Sequence, residues 1–349
     1  MKPKPLLIAT ALFAISALLY AQSAPAWVSN LEQAFPSRDW VAVTAQGISQ
    51  AQAEASAMNA LARAFRTDVE SLTQSSQQFS QIVGANGNIT FDESRNFTQE
   101  IQTSTNIRGL IAVQLDSYQA PDRTFYVNAR MNRRESALRY SGMVRENTAI
   151  INRLLASAAA AREQASFDVY SKLSFAHSIA IVTDSFQNIL EVLDPGAANQ
   201  RPSYGGANAI KVKMLECAAQ ITIAIVVDTE QAEEKTLLTR AAASFFSELG
   251  FRTNEDGSPN SANAGNYFLR VNARFEVITQ NVISCRYFMN AALTNRNGTT
   301  VFSFTEDDRK AHPNNAAEAR RLAVRAVETS FKEGKFSTEF GNWLNSLLD

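Results

Sequence analysis

An α+β fold is what this chain predicts, with two small domains that each run strand–helix–strands–helix and are joined by a long helical hairpin. Three patterns carry that expectation. Tyr267 to Thr279 alternates, with Tyr267, Leu269, Val271, Ala273, Phe275 and Val277 on one face of a strand. Ala53, Ala57, Ala60, Leu61 and Ala64 recur at helical spacing. Residues 133–193 hold no Pro and a single Gly, Gly142.

The chain starts with Lys2 and Lys4, then an apolar run from Leu6 to Ala21, then small residues at Ala21 and Ser23. That order is a secretory signal over residues 1–24, with cleavage expected near Ala21 to Ala24. The run of 16 residues is shorter than the ~20 a spanning helix needs. A retained membrane anchor is the alternative. No Cys lies near the cut, so no lipid attaches there. The expected location is the periplasm or outer envelope.

The remaining ~325 residues suggest two domains. With 45% hydrophobic and 19% charged residues the chain builds real cores. Without Lys2 and Lys4 there are 31 basic and 34 acidic residues, a net charge of −3. This balance gives no footprint for nucleic acid. Cys217 and Cys285 either bridge in an oxidising compartment or stay as buried thiols.

The first α+β domain is expected over 25–132. Trp40 to Val43 is a short apolar strand ended by Gly47. Ser49 with Gln52 three residues on forms a capping box for the Ala-rich helix. That helix is expected to continue through Val69, Leu72 and Phe79 to about Gln81, with Gly84 to Gly87 stopping it. Ile107 to Asp116 and Thr124 to Asn132 form a hairpin around the turn residues 118–123.

The helical hairpin is expected over 133–194. Ile150, Ile151, Leu154, Leu155 and Ala158 form one stripe; Val169, Leu173, Ala176, Ala180, Ile181 and Phe186 form another. Ser166 caps the second helix, and Asp194-Pro195 ends it. Each helix is roughly 40 Å long. Residues 195–208, with two Pro and three Gly, are the expected linker.

The second α+β domain is expected over 209–349. A short helix over Ala209 to Ala218 precedes a buried strand, Ile221 to Val227. Asp228 with Gln231 is read as the cap of a helix running to Gly250. After a polar loop over 254–266 and the alternating strand, Cys285 to Thr294 pairs with Thr300 to Phe304 through the turn Asn295-Arg-Asn-Gly298. Asn315 with Glu318 starts a helix through Phe331, and an amphipathic tail with Phe336, Phe340, Trp343, Leu344 and Leu347 docks on the body.

Motifs of known chemistry are missing. His177 sits on a helix and His312 before one, each read as structural. Zinc needs three or four ligands at short spacing, and neither the His nor the Cys residues supply them. There is no Walker loop, dinucleotide fingerprint or nucleophile elbow. Asp92-Glu93 and Asp307-Asp308 lie in polar stretches and read as solvated. Catalytic, cofactor and metal residues are therefore expected to be none.

Pro25-Ala-Trp-Val28, Trp40-Val-Ala-Val43, Gly47, Ser49 and the Ala-stepped helix resemble the LPP-twenty lipoprotein family over about residues 25–135. The segment Arg309 to Arg320 is similar to spirochaete-type relatives of that architecture. The resemblance implies an α+β envelope domain without enzymatic activity. The chain departs from it in lacking the lipobox Cys.

The expected function is an exported, non-catalytic binding or assembly module. Its partner would be an envelope protein or a second copy, with peripheral membrane association and no nucleic acid, cofactor or identified small-molecule substrate. Two other classes compete. A cell-wall-acting enzyme would need Glu54, His177 and Asp307 to converge. A small-ligand carrier would line a pocket with Tyr267, Phe275, Tyr287 and Phe288.

Overall fold

The computed structural model describes residues 24–65, 110, 112–255, 265–279 and 282–348. Residues 1–23, 66–109, 111, 256–264, 280–281 and 349 lie outside them. So do the expected continuation of the Ala-rich helix to Gln81, the glycine stop at 84–87, and the adjacent pair Asp92-Glu93. The chain is α+β, and its contacts divide it into two compact units.

Unit one comprises described residues within 24–143 together with Ser185–Arg201. Two single-turn helices, α1 (Ala26–Ser29) and α2 (Leu31–Ala34), precede strand β1 (Trp40–Gly47) and helix α3 (Gln50–Ala64). Strands β2 (Gln114–Gln119) and β3 (Phe125–Asn132) complete an antiparallel sheet of order β1-β3-β2. The cap expected at Ser49 is present. Its side chain accepts from the Gln52 N–H, while Gln52 Oε1 accepts from the Ile48 N–H at 3.0 Å.

The helix faces the sheet with Ala53, Ala57, Met58, Leu61 and Ala62. Ala64 is exposed and Ala60 only half-buried, so the inward stripe sits slightly rotated from the one expected. Bulky Met58 and Phe65 fill the flank that alanine leaves open. Gly47 is required where β1 meets the helix start. A Cβ there would stand 2.7 Å from the Ala53 backbone nitrogen. Strand β2 begins at Gln114, later than the expected Ile107, and extends through Tyr118 and Gln119 into the expected turn. The turn is tightened by Arg123 at φ 69°.

Two long helices, α4 (Arg133–Ala160) and α5 (Phe167–Leu193), each contribute to both units. Along α4 the buried positions are Ser136, Ala137, Tyr140, Met143, Val144, Asn147, Ile151, Leu154 and Ala158, and Tyr140, Val144, Asn147, Ile151, Leu154 and Ala158 among them follow a 4-3-4-3-4 spacing. That is the seam of a coiled coil. Within unit one the helices meet through Tyr140 and Phe186, ring centres 5.4 Å apart. Within unit two Asn147 Nδ2 donates to Thr183 Oγ1 at 3.0 Å. Within unit one Arg133 also donates to the Val192 carbonyl, so the two helices run antiparallel there. Ser166 Oγ accepts from the Val169 N–H, the expected cap. Helix α6 (Pro195–Ala198) follows, its first turn capped by the Asp194 carboxylate.

Unit two comprises Val144–Asp184 and the described residues from 202 on. After α7 (Ala207–Ala218) come β4 (Thr222–Asp228), α8 (Ala232–Glu248), β5 (Arg252–Asn254), β6 (Tyr267–Ile278), β7 (Ser284–Asn295), β8 (Thr300–Ala311), α9 (Ala316–Glu333) and α10 (Lys335–Ser346). The sheet order is β5-β4-β6-β7-β8. Strand β4 runs parallel to both neighbours; β6, β7 and β8 are antiparallel.

Asp228 does not cap α8. It stays in the strand opposite Asn272, and the helix opens three residues later with Gln231 at the cap position. Strand β8 runs seven residues beyond the expected Phe304. Its charged stretch Glu306 to Lys310 remains a strand because β7 supplies cross-strand partners for it. The core between the sheet and the helices is aromatic. Phe340 of α10 lies within about 6 Å of the ring centres of Phe167, Phe245, Phe246, Phe302 and Trp343. This docks the amphipathic tail as expected.

Candidate functional site

The residues named for a hydrolytic site do not assemble. Glu54 belongs to unit one, where its carboxylate accepts from Gln50 Nε2. His177 is half-buried on α5, and burial together with Lys211 pushes its imidazole below the ordinary value, against a smaller opposing pull from Asp184. Asp307 is exposed on β8 in a two-pronged pair with Arg286, which holds its carboxyl below the usual range. No hydrogen bond or ion pair among the described residues joins any two of the three.

The four aromatics do not line one pocket either. Tyr267, Phe275 and Tyr287 are buried in the core of unit two. Phe288 points to the opposite side of β7 and is 42% exposed. Strand alternation forces that separation, since neighbouring side chains take opposite faces. His312 accepts at Nδ1 from the Asn314 N–H, in keeping with a loop role. Cys217 and Cys285 are free, buried thiols. Burial pushes Cys217 up to about 11 and raises Cys285 as well. No metal-binding cluster occurs among the described residues.

Buried ionisable groups in unit two are engaged internally. Glu306 accepts from Tyr287 Oη at 3.0 Å and from Ser330 Oγ at 2.6 Å. Burial, then the bond to Glu306, raises the Tyr287 phenol. Glu234 is paired with Arg320 at 2.6 Å, and the Arg320 guanidinium also lies 5.6 Å from the Phe275 ring centre. Asp184 accepts from Tyr204 Oη and from the Ala207 N–H, which ties the segment after α6 to α5.

Unit one has two features that face outward. A cleft of about 800 Å³ is lined by Arg38, Arg133, Arg134, Leu138 and Asp194, among others. Arg133 in its wall is already used, donating to the carbonyls of Ser37 and Val192. The second feature is strand β2. Among the described residues it bonds to β3 alone and so forms the edge of the sheet, and it exposes every residue but Tyr118.

A cationic clamp outside the sequence expectations stabilises this edge. Arg130 on β3 stacks over Phe35 at 4.4 Å, lies 5.8 Å from Trp40, and pairs with Asp116 of β2. Tyr118 of β2 packs near Tyr126, ring centres 6.5 Å apart. The clue available was the alternation of β3, which places Asn128 and Arg130 opposite Val127, Ala129 and Met131. Both faces of β3 turn out to be covered.

Among the described residues no helix is long and apolar enough to cross a membrane. No family model matches the chain, and no curated protein matches it. Solved structures similar to it include lipoprotein GNA1162 from Neisseria meningitidis, at 16% identity and a TM-score of 0.24. That likeness covers 32% of this chain and 98% of the other. A minor lipoprotein from Acinetobacter baumannii is 11% identical, covering 35% of this chain and 93% of its own, with a TM-score of 0.25. The secreted protein HP1454 from Helicobacter pylori is 12% identical over 84% of this chain and 97% of its own, with a TM-score of 0.36. At this level of likeness they assign no function to the chain.

Proposed function

We propose that the chain is an exported, non-catalytic binding or assembly module of the cell envelope, and that it takes a partner by strand addition along β2. The observation that carries this reading is the state of β2. It is an edge strand, and its Leu115 is 40% exposed. Such an edge presents a row of backbone donors and acceptors to an incoming strand. The clamp from Arg130 to Asp116 holds that row in place, which lowers the ordering cost of binding.

Export is supported by the basic start, the apolar run and the small residues of the leader. A non-catalytic role is supported by the internal pairing of Glu234 and Glu306, which leaves neither buried carboxylate free for proton transfer. The LPP-twenty-like reading agrees with the packing of Trp27, which is buried, and of Trp40, which stacks edge-on against Phe35.

Cell fractionation should recover a chain shortened near Ala21 to Ala24 outside the cytoplasm. A photo-crosslinker at Ser117 should give an adduct that Leu115→Lys abolishes, while the same probe at Asp122 in the turn gives none. Full-length chain in the cytoplasm, or adducts indifferent to Leu115→Lys, overturns the proposal.

A further inference from the structure

Among the described residues, the five-stranded sheet is covered on one face only where β6, β7 and β8 run together. On the other face the registered rows are Arg270, Ala292 and Ser303; Asn272, Asn290 and Thr305; Arg274, Phe288 and Asp307; and Glu276, Arg286 and Arg309. The inward neighbours Val271, Ala273, Phe275, Tyr287, Met289 and Ala291 are all buried, while the outward ones are exposed or half-buried. Four arginines stand against two carboxylates, on a chain whose formal net charge is −1. The cationic character therefore belongs to this face and not to the protein at large.

Two of the arginines are committed. Arg286 holds Asp307, and Arg309 Nε donates to Ser284 Oγ at 2.6 Å. Arg270 and Arg274 have no side-chain partner among the described residues. They stand ~14 Å apart along β6, with Asn272 between them. Beside Arg274, in the same row, lies the exposed ring of Phe288.

We propose that this face binds an acidic glycan strand, with sugar carboxylates on Arg270 and Arg274 and a pyranose ring stacked on Phe288. The inference goes beyond the edge-binding reading of unit one and uses different residues. A guanidinium fork matches a carboxylate with two parallel hydrogen bonds. The negative face of the Phe288 ring attracts the weakly positive C–H groups of a sugar face. Asn272 and Asn290, opposite one another across β6 and β7, offer paired donors and acceptors to hydroxyls.

Size separates this occupant from a folded protein. Three strands ~4.8 Å apart and four rows ~6.8 Å apart frame about 200–300 Å². A stable protein interface takes ~800 Å² from each partner. The patch is about twice as long as it is wide, the shape of a short extended oligomer.

The test is calorimetric titration of the purified chain with hexagalacturonate, maltohexaose and hexaglutamate. The expected result is binding of hexagalacturonate that weakens with added salt, with maltohexaose at least ~10-fold weaker. Arg274→Gln and Phe288→Ala should each weaken it by ~10-fold, the loss expected for one charged hydrogen-bond set or one stacked ring. Both side chains are exposed, so the thermal midpoint of each variant should match the parent. Absence of hexagalacturonate binding, or binding unchanged in both variants, overturns the proposal. Equal binding of hexaglutamate makes the face a reader of acidic peptide and also overturns it. A dimer dissolved by Phe288→Ala in sedimentation would reassign the face to self-association. None of these failures touches the edge on β2, which the crosslinking at Ser117 tests separately.

Discussion

Ser330 Oγ donates to Glu306 Oε2 at 2.6 Å and at the same time accepts from the Phe336 N–H at 3.1 Å. One hydroxyl thus joins the buried carboxylate of β8 to the first turn of α10, across the sharp joint at Gly334. This explains why a charged residue is buried beneath the two final helices. The carboxylate organises their junction, with its other oxygen satisfied by Tyr287.

Removing that hydroxyl takes one partner from each of the two groups it joins. Ser330→Ala should destabilise unit two by about 1–3 kcal/mol, since Glu306 and the Phe336 N–H each lose a partner in a buried site. Gly334→Ala should destabilise by a similar amount for a different reason, because a Cβ there would stand 2.6 Å from the Ser330 Cα. Urea midpoints of the two variants check both expectations. A midpoint equal to the parent's for Ser330→Ala would show that the network carries no stability.

The helical hairpin contains a polar position where an apolar one would pack better. Asn147 is fully buried, and its Oδ1 has no hydrogen-bond partner among the described residues. Its contact, Thr183, would remain satisfied without it by donating to the Ile179 carbonyl at 2.8 Å. Asn147→Leu should therefore raise stability by about 1 kcal/mol while weakening the choice of helix register. Equilibrium unfolding measures the first effect. A large loss of stability would mean that the amide is satisfied in solution.

Stability should fall on the acid side of neutrality through His177. Its folded value lies below the ordinary 6.5, owing to burial first and Lys211 second. As pH drops below about 6.5 the unfolded chain takes up the proton before the folded chain does, so unfolding is favoured. The effect is absent above that range. His177→Gln should remove this part of the slope, so that the stability difference between parent and variant changes from pH 7.5 to pH 5.5 and is constant above. A difference independent of pH would refute it.

Both thiols should be inert in the native chain. Cys217 is pushed up to about 11 by burial, and Cys285 is raised for the same reason. Iodoacetamide at pH 8 should label neither until denaturant is added, after which mass spectrometry should count two adducts. A disulfide between residues 217 and 285 in protein recovered from the envelope would contradict the separate thiols seen here.

Much of the fold is legible in short-range patterns. The Pro-free stretch with its two apolar stripes at helical spacing specifies α4 and α5, because such a stripe is written within one turn or two of each residue. The caps at Ser49 and Asn315 are legible for the same reason, as the side chain and the N–H it serves lie three residues apart or fewer. The candidate sites are less legible. Asp307-Asp308 reads as a solvated polar stretch past a strand expected to end at Phe304, yet β8 continues through it because Arg286 and Ser284 on β7, more than twenty residues away, stand beside Asp307 and Arg309.

The sequence by itself determined the kinds and order of the main elements and most of the apolar positions they bury, since hydrophobic periodicity and capping act over a few residues. It also determined the even charge balance and the lack of a recognisable catalytic motif. Only the tertiary structure decided that β1 meets an antiparallel neighbour while the similar apolar strand β4 sits between two parallel ones. It alone placed Arg130 over Phe35, buried Glu306 beneath Ser330, and left Arg270, Arg274 and Phe288 on an open face. Pairings of that kind depend on which distant strand arrives at hydrogen-bonding distance, and no local spacing encodes that choice.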